Sequence, residues 1–200
     1  MTDSSYPVDL QIERPEKSSR GWAALTLLGI KSLTLIPQII VLYIFMIGVG
    51  VVFFISQIAV LFTEKYPEGW HAFMVKVMRW QMQVSGFMYG LRDDYPPFAP
   101  SEVASSISIT IPYPEQSSRG WAIMTMLGIK SLALIPQIIV LYFVMIAMAV
   151  VWVIGEFAVL FTGVFPEGMH RFVVGTMRWM MRLNAFMYGL CDQYPPFSMS

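Results

Sequence analysis

The sequence lacks most of the features that mark enzymes and nucleic-acid-binding proteins. There is one cysteine in 200 residues, Cys191, which excludes an internal disulfide. Charged residues make up 13% of the chain, against about 25% in soluble domains. Lys+Arg and Asp+Glu number 13 each, so no basic excess indicates a nucleic-acid partner. No Gly-rich phosphate loop, nucleophile elbow or cysteine cluster occurs, which disfavours the common enzyme classes.

Long apolar runs are abundant instead. The segment Gln38–Thr63 contains no formal charge, and as a helix at about 1.5 Å per residue it exceeds the roughly 30 Å hydrocarbon core of a bilayer. Gln137–Thr162 repeats this run with one charge, Glu156. We predict two transmembrane helices, the alternative being core helices of a soluble protein. The polar N-terminal stretch has no early apolar run, so we expect no cleavable secretion signal.

The chain contains an internal repeat. Leu28–Tyr43 and Leu127–Tyr142 differ only at Thr34 and Ala133, and Val8–Phe98 aligns without a gap with Ile107–Phe197. We therefore predict an all-α membrane protein of two pseudo-symmetric tandem units, residues 1–99 and 100–200. The near-identical block IPQIIVLY predicts packing against protein, whereas the variable apolar residues that follow predict contact with lipid. Uneven drift after a recent duplication is the alternative explanation.

Each unit has the same predicted order of elements. Residues 8–12 and 107–111 alternate apolar and polar, as strands that pair with each other or with neighbours, or else as short linkers. A helix over Ser19–Leu33, capped by Ser18 or Ser19, is predicted to be interfacial or re-entrant, and Pro37 then starts the long helix. After the PEG turn, a helix with a basic stripe is typical of the membrane surface.

Several basic and aromatic side chains are predicted to lie at the headgroup level, each with one end in water. They are Arg20, Trp22, Lys31, Arg79, Trp80, Arg119, Trp121, Lys130, Arg178 and Trp179.

Four polar residues fall inside the long apolar helices. Glu156, aligned with Gln57, is a candidate for carrying protons or binding a cation, because burying a carboxylate in a membrane is costly. An interhelical hydrogen bond is its alternative role. Gln38 and Gln137 follow the shared proline and are predicted to act as caps or helix–helix hydrogen bonds.

A Glu-x-x-His motif occurs once in each unit, as Glu68 with His71 and as Glu167 with His170. Such pairs build di-iron sites in helical bundles when other helices add carboxylates. Those carboxylates are missing at repeated core positions, so we predict no metal and no cofactor. The motif also fits a helix start, where the helix dipole stabilises a negatively charged Glu in the first turn.

The topology stays open at this point. With one span per unit, the two units would be inverted, and the nearly equal Lys and Arg counts on the two sides fit an inverted pair. If the Ser19–Leu33 segment also enters the bilayer, each unit is a helical hairpin and the units are parallel. That arrangement gives the identical SSRGW and YPPF motifs the same surroundings, and it is slightly favoured.

The ordered motifs RGW, LIPQIIVLY, AVLFT, FPEG, MRW and YPPF occur across nearly the whole chain, twice. In this order they resemble the bacterial membrane proteins grouped as domain of unknown function 4389. This chain has Gln38 and Gln137 where many members carry His, and PEG where others have PRG. The resemblance implies an integral protein of the bacterial inner membrane and brings no established activity or catalytic residues.

We therefore expect a non-enzymatic integral membrane subunit that assembles a membrane complex or a homo-oligomer, with its units associating through the IPQIIVLY faces. The alternative is a small transporter or channel for protons, cations or lipids, which Glu156 and the basic stripes suggest. A membrane metalloenzyme built on the Glu-x-x-His pair is the third hypothesis.

Overall fold

The computed structural model of the chain describes residues 6–100 and 107–199. It is mainly helical, as predicted. The first unit contains β1 (Asp9–Ile12), α1 (Arg20–Leu27), α2 (Ile30–Thr34), α3 (Ile36–Thr63) and α4 (Glu68–Met88). The second unit repeats them as β2 (Ile107–Thr110), α5 (Arg119–Met126), α6 (Ile129–Ala133), α7 (Ile135–Thr162) and α8 (Glu167–Met187).

The two strands form an antiparallel ribbon at the centre of the pseudo-symmetry. Leu10 pairs with Ile109, its counterpart in the repeat, so the approximate two-fold axis passes between them. The apolar side chains of both strands are buried, whereas Gln11, Ser108 and Thr110 are exposed. An isolated two-stranded ribbon is marginal in water, so packing against helices stabilises this one. The extended segments predicted from the alternation are confirmed, and they pair with each other.

The first helices of the two units are exchanged. α1 packs against α7 of the other unit, and α5 packs against α3. Ala23 of α1 is buried in a cluster with Val159 and Phe165. The backbone N–H of Ser18 donates to the Gly163 carbonyl at 2.9 Å, and that of Ser117 donates to Glu64 at the same distance. The two units therefore share one core instead of forming two.

The segment predicted as one helix over Ser19–Leu33 is broken in two. Ser19 caps α1 by accepting the Trp22 backbone N–H at 3.3 Å, which confirms one of the two predicted caps. Gly29 then adopts φ 74° in the left-handed region, and glycine there ends an α-helix without a Cβ clash. The break allows α2 to change direction before α3 begins.

Both long helices run for 28 residues, and the predicted proline stands in the first turn of each. Of the residues that the structure describes, these are the two helices long and apolar enough to cross a membrane. The prediction that the IPQIIVLY block packs against protein is wrong for most of its side chains. Ile36, Ile39, Ile40 and Tyr43 are exposed, Tyr43 by 69%. Within this block Gln38 is buried, whereas the apolar side chains form an exposed stripe on the helix surface.

Each long helix starts beside the C-terminal half of the other. Leu35, which precedes α3, packs with Phe87, and the Phe87 ring lies 4.5 Å from Lys31 Nζ. Lys31 in turn interacts electrostatically with Glu156 of α7. In the second unit Leu134 packs with Phe186 beneath Lys130, and Gln57 of α3, at the position of Glu156, lies against Gly189. Each helix is about 42 Å long. Because the start of each long helix lies close to the C-terminal half of the other, the two helices run in roughly opposite directions.

α4 and α8 form the interior and do not lie on the surface as predicted. Ten of the 21 residues of α4 and 12 of the 21 residues of α8 are buried, and the ribbon covers Arg178 and Arg182 of the α8 basic stripe. Arg178 Nε lies 2.8 Å from an Asp9 carboxylate oxygen and donates to the Leu10 carbonyl at 2.9 Å. Arg182 Nε donates to the Val8 carbonyl at 3.0 Å. The prediction that this stripe faces the membrane surface is wrong for Arg178 and Arg182, because their guanidinium groups donate to carbonyls of β1 and its preceding residue.

Candidate functional site

Lys31 of α2 occupies a pocket formed by both units. Its side chain is buried, with 2% exposed. The ammonium lies 4.5 Å from the centre of the Phe87 ring and 5.9 Å from that of Trp22. The two rings meet edge to face, with centroids 5.1 Å apart. A cation over aromatic faces is stabilised by their quadrupoles, more strongly when water is excluded.

Glu156 of α7 brings a carboxylate into the same pocket. Its Oε1 accepts the Trp152 indole N–H at 3.1 Å, and it attracts Lys31. Gly90 lies so close that an added Cβ would overlap this carboxylate, and its φ of 68° also favours glycine. The carboxylate of Asp93, also attracted to Lys31, accepts the Ser19 backbone N–H at 2.8 Å. The pocket therefore holds one ammonium and two carboxylates.

The second unit builds a matching pocket around Lys130 of α6, with 1% exposed. Lys130 Nζ lies 4.3 Å from the Phe186 ring centre and 5.6 Å from that of Trp121. Gln57 replaces the carboxylate of Glu156 and lies against Gly189. Asp192 is the remaining acid that attracts this ammonium. Within the described part of the chain, Lys130 Nζ has no hydrogen-bond partner.

Burial controls the protonation of both lysines. It lowers the pKa of Lys31, against the attraction of Glu156 and Asp93. It lowers the pKa of Lys130 from 10.5 to about 8, against the attraction of Asp192 and the Cys191 thiol. Burial also raises the pKa of the Asp192 carboxyl, which the Ser118 N–H and Lys130 partly offset. Lys130 can therefore release its proton near neutral pH, which an exposed lysine cannot.

We predict that stability rises with pH because of these lysines. Between pH about 8 and 10.5 the folded protein holds Lys130 largely neutral while the unfolded chain still binds that proton. Unfolding is therefore disfavoured increasingly across this window, by at most about 3 kcal/mol. Denaturation midpoints measured from pH 7.5 to 9.5 should increase, and Lys130→Met should reduce the increase. A wild-type midpoint that falls over this range would contradict the prediction.

The predicted headgroup residues divide into two groups. Arg20 and Arg119 are exposed, and Trp22 and Trp121 are half-buried. Arg79 and Arg178 are partly covered, the latter by the ribbon. The expectation that one end of each side chain stays in water is wrong for four residues that the structure buries inside the protein, namely Lys31, Trp80, Lys130 and Trp179. The Lys31 and Lys130 ammonium groups lie over aromatic rings. The Trp80 indole N–H donates to the Pro97 carbonyl, and that of Trp179 donates to the Gln137 side-chain amide.

The glutamines at the start of the long helices bind the YPPF segments that end each unit. Gln38 Nε2 donates to the Pro96 carbonyl at 2.6 Å, and Gln137 Nε2 donates to that of Pro195. Trp179 Nε1 donates to Gln137 Oε1 at 2.9 Å, whereas Trp80 donates to the Pro97 carbonyl at 2.7 Å. The Trp179–Gln137 bond joins α8 to α7 and confirms the predicted helix–helix hydrogen bond for Gln137. The side-chain N–H groups of Gln38 and Gln137 instead donate to proline carbonyls of the YPPF segments, which the sequence did not predict.

The Glu-x-x-His motifs do not bring their side chains together. Glu68 and Glu167 are exposed, whereas His71 and His170 are buried. His71 contacts the rings of Tyr66 and Tyr113, with centroids 5.9 and 5.3 Å away. Burial lowers the pKa of both histidines. Among the residues that the structure describes, no group of three His, Cys, Asp or Glu side chains is placed to hold a metal ion.

Comparison with known proteins adds a family and no activity. No curated protein and no solved structure matches the chain. The family model described as "Domain of unknown function (DUF4389)" matches residues 27–99 and again residues 125–199. Both matches include a long helix, the buried helix after it and the YPPF segment. The chain therefore belongs to the DUF4389 family, of which it carries two tandem copies.

Proposed function

We propose that the protein is a non-enzymatic integral membrane subunit that assembles with itself or with a larger complex of the bacterial inner membrane. The proposal rests on the exposed apolar residues of the two long helices and on the exposed polar residues of α4 and the ribbon. The apolar ones support insertion into lipid, and the polar ones support coverage by another protein.

The exposed apolar surface is continuous along both long helices. It begins at Leu28 before α2 and reaches Phe62 at the end of α3, and it recurs from Leu127 to Phe161. Monomeric soluble proteins rarely expose patches beyond a few hundred Å². A lipid environment removes this cost for helices of 28 residues.

The opposite directions of α3 and α7 favour the inverted topology for two spanning helices. The axis between Leu10 and Ile109 then lies in the membrane plane, as in inverted-repeat membrane proteins. The parallel hairpin arrangement would need both long helices to run the same way. The identical motifs of the two units are in this topology placed on opposite sides of the membrane.

A set of exposed polar residues then lies near the bilayer midplane. Phe73 stacks on Phe45 at 6.4 Å, and Phe45 meets Trp80 at 5.4 Å, which places the intervening Lys76 level with the middle of α3. Lys76 is exposed. Polar side chains that face lipid at this depth are unfavourable. We define Lys76 and the exposed ribbon residues Gln11, Ser108 and Thr110 as the mid-span polar residues, and propose that a protein partner covers them.

A transporter or channel is the second candidate, supported by the Lys31–Glu156 pair. In that case the mid-span polar residues border an aqueous path between subunits, and the buried pair exchanges protons with it. Proton flux into proteoliposomes that is lost on Glu156→Gln would support this function.

The test of assembly is photo-cross-linking in intact membranes. With the cross-linker benzoylphenylalanine in place of Lys76, we expect one discrete adduct, either a dimer of the chain or a complex with one other protein. The matched control carries the same group at Leu28, which is 72% exposed on the apolar surface and should react with lipid.

The proposal fails if position 76 gives no protein adduct while a membrane-impermeant reagent modifies a cysteine placed there. That outcome would mean that the mid-span polar residues face water, as when the long helices lie flat at the membrane surface.

A further inference from the structure

We propose that the groove between α1 and the C-terminal end of α7 binds the phosphate group of an anionic phospholipid. The inference uses the membrane location proposed above but not the proposed assembly.

The groove has a volume of about 470 Å³ and is lined by Lys17, Ser18, Arg20, Thr162, Gly163 and Val164. Lys17 and Arg20 are both exposed, and neither forms an ion pair with another residue of the described ranges. Ser18 is nine-tenths buried, and its hydroxyl lacks a hydrogen-bond partner there. The groove therefore presents two exposed cations without a direct ion pair in the described ranges, above the enclosed Ser18 hydroxyl. Glu13, Asp93 and Asp94 line a neighbouring groove with Lys17. α1 also begins at this groove, and helix N-termini favour anions.

The pseudo-equivalent groove in the other half acts as an internal control. It is lined by Glu64, Gln116, Ser117, Ser118, Arg119 and Asp192. Glu64 replaces Gly163 and forms an ion pair with Arg119 at 3.2 Å, and Gln116 replaces Lys17. Asp93 accepts the Ser19 N–H beside the first groove as Asp192 accepts the Ser118 N–H in the second. With these two acids included, the formal charge is +1 in the first groove, from Lys17, Arg20 and Asp93, and −1 in the second, from Arg119, Glu64 and Asp192. The same backbone carries an anion site at one end only.

The surroundings of the charged groove favour a lipid over a free anion. Phe161, directly before the groove residue Thr162, is 75% exposed and belongs to the outward apolar surface of α7. A phosphate held in the groove places the acyl chains of the same molecule along that surface. The Arg20 guanidinium matches phosphate geometry with paired N–H donors, and Lys17 adds a point charge. Basic residues near a membrane surface also attract anionic lipids.

The experiment is a native mass-spectrometric titration of the full-length protein in mild detergent. The probes are phosphatidylglycerol, phosphatidylcholine and inorganic phosphate. We expect one phosphatidylglycerol per chain, bound at least tenfold more tightly than phosphatidylcholine, and no retained inorganic phosphate. Gly163→Glu should weaken phosphatidylglycerol binding roughly tenfold or more, because the new carboxylate pairs with Arg20 as Glu64 does with Arg119.

Glu64→Gly is the matched control and should leave the phosphatidylglycerol site intact. Position 163 tolerates glutamate because Glu64 itself adopts φ 57° at the equivalent position; thermal denaturation checks that both variants stay folded. Equal affinity for the two lipids, or binding unchanged by Gly163→Glu, would overturn the proposal. Inorganic phosphate bound as tightly as phosphatidylglycerol would overturn the lipid assignment. Cross-linking at position 76 measures assembly and does not depend on lipid binding. Failure of either proposal can therefore be distinguished from failure of the other.

Discussion

The first unit produced alone, as residues 1–103, is expected never to form a folded monomer. β1 would lose its strand partner β2, α1 would lose the α7 surface against which it packs, and α3 would lose α5. The apolar clusters that join Ala23 to Val159 and Phe165 would be open. Because a domain is stable by only about 5–15 kcal/mol, losses of this size unfold the fragment unless a second copy replaces the missing unit.

Co-expression of residues 1–103 with residues 104–200 should restore the fold. The cut lies after the YPPF segment of the first unit and before β2, and each fragment keeps its own contribution to the exchanged contacts. Native mass spectrometry should show a one-to-one complex, and circular dichroism should match the intact chain. A stable monomeric 1–103 fragment with the helix content of the intact first unit would show that the exchanged contacts are not needed.

Replacing the two buried lysines is expected to have different consequences despite their matching positions. Lys31→Met leaves Glu156 buried without the cation that attracts it. We expect a loss of stability below the roughly 3–5 kcal/mol that breaking a contacting buried ion pair costs. Lys130→Met removes an ammonium that Asp192 attracts but that has no hydrogen-bond partner in the described ranges, and Gln57 takes the place of the second acid in its pocket. It should be neutral or slightly stabilising. Unfolding of both variants in one detergent, followed by circular dichroism, measures the difference.

The double variant Lys31→Met, Glu156→Gln is the control for this comparison. It converts the first pocket to the amide of the second and removes both charges, so it should recover most of the stability lost in Lys31→Met. Equal losses for Lys31→Met and Lys130→Met would mean that packing of the lysine side chains, and not the Glu156 charge, controls their contribution.

The local features of the fold were predictable from the sequence because their signals are local. Alternation over residues 8–12 predicted a strand, Ser19 predicted a cap, and Pro37 predicted the start of a long helix. The repeat predicted pseudo-symmetry, and the family match confirms two copies. Gly29 carried the signal for the break between α1 and α2, since glycine after an apolar helix is typical of a helix end.

The partners of these elements were not predictable in the same way. Hydrophobic periodicity shows which side of a helix is buried, but it does not show which unit covers that side. The exchange of α1 and α5 between the units could therefore not be predicted from the sequence. The sequence predicted Lys31 at the headgroup level because lysine and tryptophan occur together both in buried aromatic pockets and at membrane surfaces. The residue types alone do not distinguish these two environments. The Glu68 and His71 spacing suggested a shared face, but residues three apart at a helix start separated into one exposed and one buried side chain.

The pseudo-symmetry has a consequence for direction. In a dimer of two identical chains related by a two-fold axis, the two ends of the dimer that the axis exchanges must carry the same residues. Such a dimer therefore has no chemical difference between one end and the other. Joining the units in one chain removes that constraint while keeping the shared core. Glu156 then stands opposite Gln57, and Gly163 opposite Glu64, so the two ends of the molecule differ. In the inverted arrangement those ends meet opposite leaflets, and the duplicated chain acquires a vectorial character that a symmetric pair cannot have.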